Sequence, residues 1–343
     1  MVRKVLVGFL LFILFSFFIT SCHSFNTEIY DKNIFYVGGN GEGNFSNIQD
    51  AINVSLNGDI VYVYSNTYYE NIVINKSISL VGEEKNSTIV TGLNNFYFVD
   101  ILSDNVTIRN LRIEDFSLGI RILNSKNISI NNNIFYNNSN GILIDEGCNN
   151  ISIFSNYFKN NTEGIRVYNS SENMFFDNVF CATENFNILF FGNSENNTIN
   201  KNIFRKTDTY SIQIKSNSNN NAICENNISD CRDGISVFLS SNILIKDNEI
   251  YNITKVGIYL KDCNNIDIHN NSISKTGSNA IYIDNVEEYN ITDDNIFSEN
   301  NLDIKIISPP PKIRIPGVEM TFFVVIVIVS LIIFFIKVRK DRK

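Results

Sequence analysis

The chain has 343 residues, of which 44% are hydrophobic and 19% charged, and its formal net charge is -8. This hydrophobic fraction excludes a disordered chain, and the negative charge argues against a nucleic-acid partner, since phosphate contacts need clustered Lys and Arg. Asparagine is the compositional outlier and makes up about a sixth of the chain, although it favours turns over helices and regular strands. Asparagine spread evenly among β-branched residues predicts many short strands separated by turns and excludes a helical bundle.

Residues 1–22 are typical of an export signal peptide. Arg3 and Lys4 precede an almost wholly apolar run, residues 5–19, which ends in small residues. Residues 19–22 also resemble a lipobox, in which the thiol of Cys22 is acylated and this residue becomes the new N-terminus. An ordinary signal-peptidase site is the alternative, and both interpretations predict an exported protein.

Residues 30–100 are predicted to form an N-terminal cap and the first coils of the fold. Ser46 with Gln49 three residues later matches a capping box. The apolar residues that follow share one helical face: Ile48, Ala51 and Ile52. We therefore predict a short amphipathic helix over residues 47–54. Strands are expected to follow at residues 60–64 and 72–74.

Residues 101–307 contain a repeat with a period of about 23 residues. A Gly-Ile unit or its variant begins at Gly119, Gly141, Gly164, Asn187, Ser211, Gly234, Gly257 and Ala280. An asparagine ladder runs in phase with it at Asn110, Asn133, Asn156, Asn178, Asn202, Asn226, Asn248, Asn271 and Asn295. Two residues after each asparagine stands Phe135, Phe158, Phe180, Phe204, Ile228, Ile250, Ile273 or Phe297, with Arg112 at that place in the first coil. Three ladders in phase indicate a repeat architecture.

A period of this length has a direct physical solution. Each unit forms one coil of three short strands, and stacking the coils pairs every strand in parallel with its counterparts about 4.8 Å above and below. Apolar residues then stack inward, and asparagine amides at a repeated turn hydrogen-bond to one another. Parallel crossovers are right-handed in nearly all cases. The sequence therefore predicts an all-β, right-handed parallel β-helix of roughly 10–11 coils.

The leucine-rich repeat is the competing architecture, since its period of about 20–29 residues includes the one seen here. It requires Leu at most ladder positions and often a helical half. Here the ladders carry Ile and Phe, and residues 105–305 show no helical periodicity. These differences favour the β-helix.

The C-terminal residues are predicted to anchor the protein in a membrane. Residues 308–317 form a Pro-rich, extended spacer. Residues 318–336 are predominantly apolar, carry one charged residue, Glu319, and are long enough for a transmembrane helix. Residues 337–343 form a basic tail, which favours the cytoplasm, so the preceding chain is expected to lie outside the cell. Residues 315–319, together with the apolar and basic segments after them, resemble the Pro-Gly-Phe sorting tails of archaeal surface proteins, with Val in place of Phe.

A family resemblance accompanies the repeat and covers about residues 35–305. It is carried by five segments: Tyr36–Gly39, Ile48–Ile52, Asn57–Val63, Thr67–Asn71 and Ile78–Gly82. The chain resembles pectin-lyase-fold surface proteins of archaea, within the broad group of carbohydrate-binding and sugar-hydrolase β-helix proteins. This group includes the NosD-like periplasmic proteins, which assist copper-site assembly in nitrous-oxide reductase. The resemblance implies the fold and leaves the function open.

Sugar hydrolysis on this fold would need two or three neighbouring carboxylates, and a lyase an acid cluster for Ca²⁺ with a basic residue. The outward position of the Gly-Ile-x-Ile strands reads Arg121, Leu143, Arg166, Leu189, Gln213, Ser236, Tyr259 and Tyr282, without an acid. Asp145 and Asp284 share another position but lie six coils apart, and Glu163 and Asp233 lie three coils apart. Asp230 and Asp233 are most simply solvated turn residues. The sequence predicts no catalytic constellation.

The best candidate binding strip consists of Tyr259 and Tyr282 with Arg121 and Arg166 further along. Aromatic faces stack on sugar rings, and the guanidinium group offers planar hydrogen bonding. An ordinary exposed strand face, which often carries Tyr, is the alternative interpretation.

Metal and cofactor binding are not predicted. His23 and His269 are the only histidines, and Met174 is the only methionine between the two terminal segments, whereas copper sites need His, Met or Cys gathered together.

The cysteines of the repeat do not define a disulfide framework. Cys148 and Cys263 share a turn but are expected five coils apart, too far for a bond. Cys224 and Cys231 could bridge within one coil, and the odd total of five cysteines after Cys22 leaves at least one thiol unpaired.

These observations predict an exported, membrane-anchored β-helix that serves as a structural or recognition module at the cell surface. Glycans or neighbouring envelope proteins are the expected partners. The alternatives are an extracellular polysaccharide lyase or hydrolase and a NosD-like copper-accessory protein. Some fifteen glycosylation sequons occur, and those at exposed turns of an exported chain could be modified, among them Asn105, Asn127, Asn150, Asn227, Asn252 and Asn290.

Overall fold

The computed structural model describes residues 32–92 and 96–307. Four predicted segments lie outside these ranges and stay predictions: the signal peptide 1–22 with Cys22, the spacer 308–317, the transmembrane helix 318–336 and the tail 337–343. Within the described ranges, no helix is both long and apolar enough to cross a membrane.

In the part of the chain that the structure describes, three parallel sheets wrap around one core, and the chain visits them in turn. Sheet 1 has twelve strands: β1 (Ile34–Val37), β2 (Ile60–Val63), β5 (Ser79–Gly82), β8 (Thr107–Arg109), β11 (Lys126–Asn131), β14 (Asn149–Phe154), β17 (Met174–Phe176), β20 (Thr198–Asn200), β23 (Ala222–Cys224), β26 (Ser241–Lys246), β29 (Asn264–His269) and β32 (Tyr289–Ile291).

Among the described residues, sheets 2 and 3 have eleven strands each. Sheet 2 contains β3 (Asn66–Tyr68), β6 (Thr88–Thr91), β9 (Arg112–Glu114), β12 (Ile134–Tyr136), β15 (Tyr157–Lys159), β18 (Val179–Thr183), β21 (Ile203–Thr207), β24 (Asn227–Ser229), β27 (Glu249–Ile253), β30 (Ser272–Thr276) and β33 (Ile296–Ser298). Sheet 3 contains β4 (Ile72–Ile74), β7 (Tyr97–Ile101), β10 (Leu118–Ile122), β13 (Asn140–Ile144), β16 (Glu163–Tyr168), β19 (Phe186–Phe191), β22 (Tyr210–Lys215), β25 (Asp233–Phe238), β28 (Ile258–Lys261), β31 (Asn279–Asp284) and β34 (Leu302–Ile307).

The solenoid has about twelve turns, slightly more than the predicted 10–11 coils. The difference arises at the N-terminal end, where β1 pairs in parallel with β2 and so adds a turn ahead of the cap helix. That turn lacks the repeat pattern, so the number of coils predicted from the repeat does not include it.

Asparagine is abundant because each coil must turn three corners. In the coil that contains β11, the corners are made by Asn124, Asn132 and Asn137, whose φ angles are 46°, 53° and 55°. This left-handed conformation is costly for most residues, and asparagine tolerates it because its side chain bonds locally. The high asparagine content therefore reflects the conformation of individual corners.

The stacked apolar ladder is confirmed. Phe135, Phe158, Phe180 and Phe204 are fully buried, and their successive ring centroids lie 4.6, 4.5 and 5.0 Å apart in near-parallel stacks. This spacing matches the distance between neighbouring strands. The repeat period therefore sets the packing of the core directly.

The buried asparagine ladder is also present, but its first member was assigned wrongly. Asn110 is a half-buried corner residue with φ 60°, and the ladder position in that coil belongs to Leu111, whose backbone N–H donates to Asn133 Oδ1 at 3.0 Å. Consequently Ile113, and not Arg112, aligns with Phe135 in the apolar ladder. The error arose because the coil from Leu111 to Asn133 is slightly shorter than the mean period, so a count at the mean period lands on the neighbouring residue.

Within residues 32–92 and 96–307 there is one helix, α1 (Ile48–Val54), and it covers the N-terminal end of the core as predicted. The predicted capping box is wrong, however, since the N-cap residue Asn47 makes no side-chain cap bond. The carboxylate of Glu70 instead accepts the backbone N–H groups of Ile48 and Gln49 at 2.8 and 3.1 Å. A carboxylate from the next coil satisfies the helix N-terminus and its dipole, which frees the Gln49 side chain to pair with the backbone of Val73.

We predict that Asn178→Ala lowers the free energy of unfolding by about 3 kcal/mol. The Asn178 Oδ1 atom accepts the backbone N–H of Asn156 at 3.0 Å, and its Nδ2 group donates to the carbonyl of Ile153 at 2.8 Å. Alanine would leave both buried groups without a partner. Equilibrium urea denaturation measures the loss.

The matched control is Asn131→Ala, which removes a half-buried amide that bonds only to the hydroxyl of Ser129 among the described contacts. This change should cost less than about 0.5 kcal/mol. Equal losses in the two variants would contradict a special role for the buried ladder.

Candidate functional site

The candidate site is the outward face of sheet 3, which we call the sheet 3 face. The parallel register lays one residue of each coil beside the next in a central column: Asp100, Arg121, Leu143, Arg166, Leu189, Gln213, Ser236, Tyr259, Tyr282 and Lys305. The predicted order from Arg121 to Tyr282 is thus the spatial order. Asp100 and Lys305, which the repeat pattern did not reveal, extend this order in the two directions, and Val73 of β4 lies beside Asp100.

Arg121 is held by an acid. Its Nε and Nη2 atoms donate to the two carboxylate oxygens of Asp100 at 2.8 and 2.6 Å, and its guanidinium carbon lies 5.9 Å from the ring centre of Tyr97. These hydrogen bonds raise the pKa of Arg121. The eight positions from Arg121 to Tyr282 carry no acid, as predicted, and Asp100 adds one from the coil before the first Gly-Ile unit.

Arg166 is held by Glu163 in a similar pair. The Nη2 atom of Arg166 lies 2.6 and 2.5 Å from the two carboxylate oxygens of Glu163. Its guanidinium carbon is 5.5 Å from the ring centre of Phe186 and 5.9 Å from that of Phe191. Glu163 is buried, while 36% of the Arg166 side chain is exposed. The pair therefore fixes the guanidinium and leaves part of it open to a ligand.

A third pair joins Arg232 to Asp233 at 3.5 Å, beside the ring of Tyr210. Burial raises the pKa of Asp233, against the lowering effects of the Val256 backbone N–H and Arg232. The interpretation of Asp233 as a solvated turn residue was wrong, since it begins β25 and is buried. Asp230 does occupy an exposed corner, with φ 56°.

The two predicted tyrosines belong to a longer aromatic run. Ring centroids are separated by 6.2 Å from Tyr210 to Phe238, by 5.1 Å from Phe238 to Tyr259 and by 5.1 Å from Tyr259 to Tyr282, each nearly perpendicular to the next. The ammonium group of Lys305 lies 5.4 Å from the ring centre of Tyr282. Four successive coils thus present half-buried rings over about 14 Å. Sequence reasoning missed Tyr210 and Phe238 because they flank the central column.

The three carboxylates of these pairs are evenly and widely spaced. Asp100, Glu163 and Asp233 belong to β7, β16 and β25, so each lies three coils from the next, about 14 Å along the axis. Paired glycosidase carboxylates are separated by about 5–9.5 Å. These three acids therefore do not form such a pair, and each is already engaged by an arginine.

The bridge between Cys224 and Cys231 that the sequence left open is not formed. All five cysteines of the described residues carry free thiols: Cys148, Cys181, Cys224, Cys231 and Cys263. Cys224 ends β23 in sheet 1, whereas Cys231 follows β24 of sheet 2 and hydrogen-bonds to Ser211 at 2.9 Å. Burial raises the pKa of the Cys231 thiol, so it stays protonated.

Residues 32–92 and 96–307 contain no group of three or more His, Cys, Asp or Glu side chains that could hold a metal. His269 is the last residue of β29, directly before the corner at Asn270. Cys224 stands two coils from His269 in the same column of sheet 1, with Lys246 between them.

Comparisons with known proteins agree with the predicted fold. A family model described as a right-handed β-helix region matches residues 185–308, and a model described as the periplasmic copper-binding protein NosD matches residues 44–230. These matches confirm the predicted right-handed β-helix. No match was found among curated proteins.

Two solved structures illustrate the similarity. The A-module of the Azotobacter vinelandii mannuronan C-5 epimerase AlgE6 superposes with a TM-score of 0.66 at 13% identity, over 77% of this chain and 95% of that one. An alginate lyase from a Paenibacillus species superposes with a TM-score of 0.56 at 10% identity, over 79% of this chain and 99% of that one. At such identities the likeness shows the fold alone.

We predict that Asp233→Asn stabilises the protein progressively as the pH rises from about 3 to 7. Because burial raises the pKa of Asp233 in the folded state, its stabilising contribution is present in acid and is lost as the pH rises through that pKa. Asparagine cannot ionise and keeps an oxygen for the Val256 N–H. Free energies of unfolding of both proteins, measured across this pH range, give the difference.

Asp294→Asn serves as the control of opposite sign. Hydrogen bonds from the Thr292 hydroxyl and the Asn270 N–H lower the pKa of Asp294, so its contribution is lost as the pH falls. The difference in free energy of unfolding between Asp233→Asn and the unchanged protein should grow with pH. If it stays constant or decreases, the pKa of Asp233 is not raised by folding.

Proposed function

We propose that this chain, which belongs to the NosD family of right-handed β-helix proteins, is an exported surface module that binds glycan chains along the sheet 3 face. The observation that carries this proposal is the aromatic run from Tyr210 to Tyr282, which continues a face bearing three arginine–carboxylate pairs. The aromatic rings offer a stacking surface for the apolar faces of a sugar chain, and the arginine–carboxylate pairs offer polar groups for its hydroxyls.

The aromatic run supplies the apolar part of the surface. Tyr259 and Tyr282 are half-buried, so their rings are held by neighbours while part of each stays exposed. Burial also raises the pKa of Tyr259, which keeps its hydroxyl neutral and able to donate. Rigid aromatic side chains lose little conformational entropy when a ligand stacks on them.

The arginine–carboxylate pairs supply the polar part. Bidentate pairing with Asp100 fixes the orientation of the Arg121 guanidinium, and Glu163 holds Arg166 by accepting from its Nη2 group with both carboxylate oxygens. Each guanidinium has five N–H donors, so donors remain for sugar hydroxyls after the pair has formed. Groups fixed on strands before a ligand arrives bind it at a lower entropic cost than groups on mobile loops.

The terminal segments give this function a location. We infer export through the signal peptide 1–22, with lipidation at Cys22 as an open alternative, and a single membrane crossing over residues 318–336. The solenoid would then face the cell exterior, where glycans and neighbouring envelope proteins are its accessible partners.

Copper handling is the second candidate, because the NosD family is described as periplasmic copper-binding proteins. A copper ion needs ligands about 2 Å away. Cys224 and His269 are the nearest candidates in one column, yet they lie two coils, about 10 Å, apart with Lys246 between them. The described geometry favours glycan binding over this candidate.

We predict that Tyr259→Ala and Tyr282→Ala each weaken glycan binding about ten-fold, since each removes one stacking surface. A glycan array identifies bound chains, and titration of the full chain in detergent solution measures the affinity. Reducing ends are assayed in the same mixtures, because sustained release would identify a hydrolase or lyase instead.

Tyr251→Ala is the matched control. Tyr251 is also half-buried and outward-facing, but it lies on β27 of sheet 2, so this variant should bind as the unchanged chain does. An equal loss in the Tyr251 variant, or no loss in the other two, would refute the proposed face.

Titration of the full chain with copper separates the two candidates. We expect no tight stoichiometric binding, because the described thiols and the single described imidazole are too far apart to share an ion. Tight one-to-one binding that His269→Ala abolishes would establish the copper function instead.

A further inference from the structure

A recess lies on a different face of the solenoid from the sheet 3 face, on the outer surface of sheet 2. It is a cleft of about 540 Å³ lined by Lys85, Asn86, Arg112, Ile134, Tyr136, Tyr157 and Lys159. We call it the sheet 2 cleft. Ligand sites commonly have volumes of about 300–1,000 Å³, so this cleft can take one or two sugar rings and is far larger than a simple ion requires.

The cleft exists because one connection is longer than its equivalents. Two residues separate β8 from β9 and β11 from β12, whereas residues 83–87 separate β5 from β6. The Lys85 Nζ atom in this longer segment donates to Asn132 Oδ1 at 2.6 Å, at a corner two coils away. This bond holds the segment along the edge of sheet 2, where it forms a wall.

Three consecutive strands form the floor. The register places Arg112, Ile134 and Tyr157 in one row, and Tyr136 and Lys159 in the next. The two tyrosines and the isoleucine present apolar surface on which a sugar ring can pack. Burial raises the pKa of the Tyr157 hydroxyl, so that hydroxyl stays neutral and can donate.

The charge of the lining is positive. Its seven residues include three cations and no carboxylate. Glu114, just outside the lining, accepts from Arg112 Nε at 2.5 Å, and the guanidinium carbon lies 4.8 Å from the ring centre of Tyr136. Arg112 is thereby fixed and largely neutralised, whereas Lys85 and Lys159 contribute positive charge from two sides of the cleft.

We propose that the sheet 2 cleft binds a carboxylate-bearing sugar, a uronate unit of an acidic polysaccharide. The carboxylate would lie between the ammonium groups of Lys85 and Lys159, and the ring would pack on Tyr136, Tyr157 and Ile134. An inorganic anion would leave this apolar floor uncovered. The cleft is separate from the sheet 3 face and does not depend on glycan binding there.

Calorimetric titration of the full chain in detergent solution tests the proposal. The probes are the trimers of galacturonate and of glucuronate, each compared with its neutral methyl ester. We expect at least one acid to bind at least ten-fold more tightly than its ester, with an affinity that falls as salt is added. Lys85→Ala and Lys159→Ala should each weaken binding at least five-fold.

Lys246→Ala provides the matched control, because it removes the same charge from an exposed residue of β26 in sheet 1. The affinity of this variant for the uronate trimers should equal that of the unchanged chain. Tyr259→Ala, on the sheet 3 face, should also leave uronate binding at the cleft intact, so failure of one site is distinguishable from failure of the other. Far-ultraviolet circular dichroism checks that each variant keeps its β structure.

Several outcomes would overturn the proposal. They are failure of both acids to bind at millimolar concentration, equal binding of acid and ester, and unchanged affinity in the two cleft lysine variants. Displacement of the bound trimer by inorganic phosphate at equal concentration would show an unselective anion site and would equally overturn it.

Discussion

The whole structure depends on one constraint: each coil must lie directly on the one before it, in register, at the spacing of parallel strands. A buried asparagine enforces this at the corner between sheets 1 and 2. Asn178, for example, accepts the backbone N–H of Asn156 and donates to the carbonyl of Ile153. The ladder thus satisfies polar groups that the tight corner would otherwise bury without partners. Alanine in place of Asn178 would leave these two backbone groups without partners.

The same constraint turns a short motif into an extended surface. Because register is maintained, one outward position per coil becomes a column, and Arg121 and Tyr282 belong to one continuous face although they lie far apart in the sequence. The spacing also limits chemistry, since carboxylates placed every third coil cannot act together on one bond. A column of this kind suits binding along a chain better than catalysis at a point, which is why we favour a recognition role.

Departures from the repeat create the remaining functional features. Asp100 belongs to a coil without the Gly-Ile unit, yet it fixes the first guanidinium of the sheet 3 face. Residues 83–87 exceed the usual two-residue corner and produce the sheet 2 cleft. Regular coils provide a rigid scaffold from a short repeated pattern, and specific sites arise where the scaffold is locally interrupted. Both proposed sites have a floor of strands, but the sheet 3 face carries arginine–carboxylate pairs, whereas the sheet 2 cleft adds a wall from residues 83–87 and has a positively charged lining.

The sequence by itself determined the parallel β-helix, its phase, the cap helix and the column from Arg121 to Tyr282, because these follow from a period and need no knowledge of distance. Tertiary structure decided which side chains meet. It moved the ladder from Asn110 to Leu111, gave the helix cap to Glu70 in place of Ser46, and paired the arginines with acids. The ladder shift depends on a small change in coil length, whereas the helix cap and the arginine pairs depend on contacts between side chains of the folded coils. A mean repeat length contains neither kind of information.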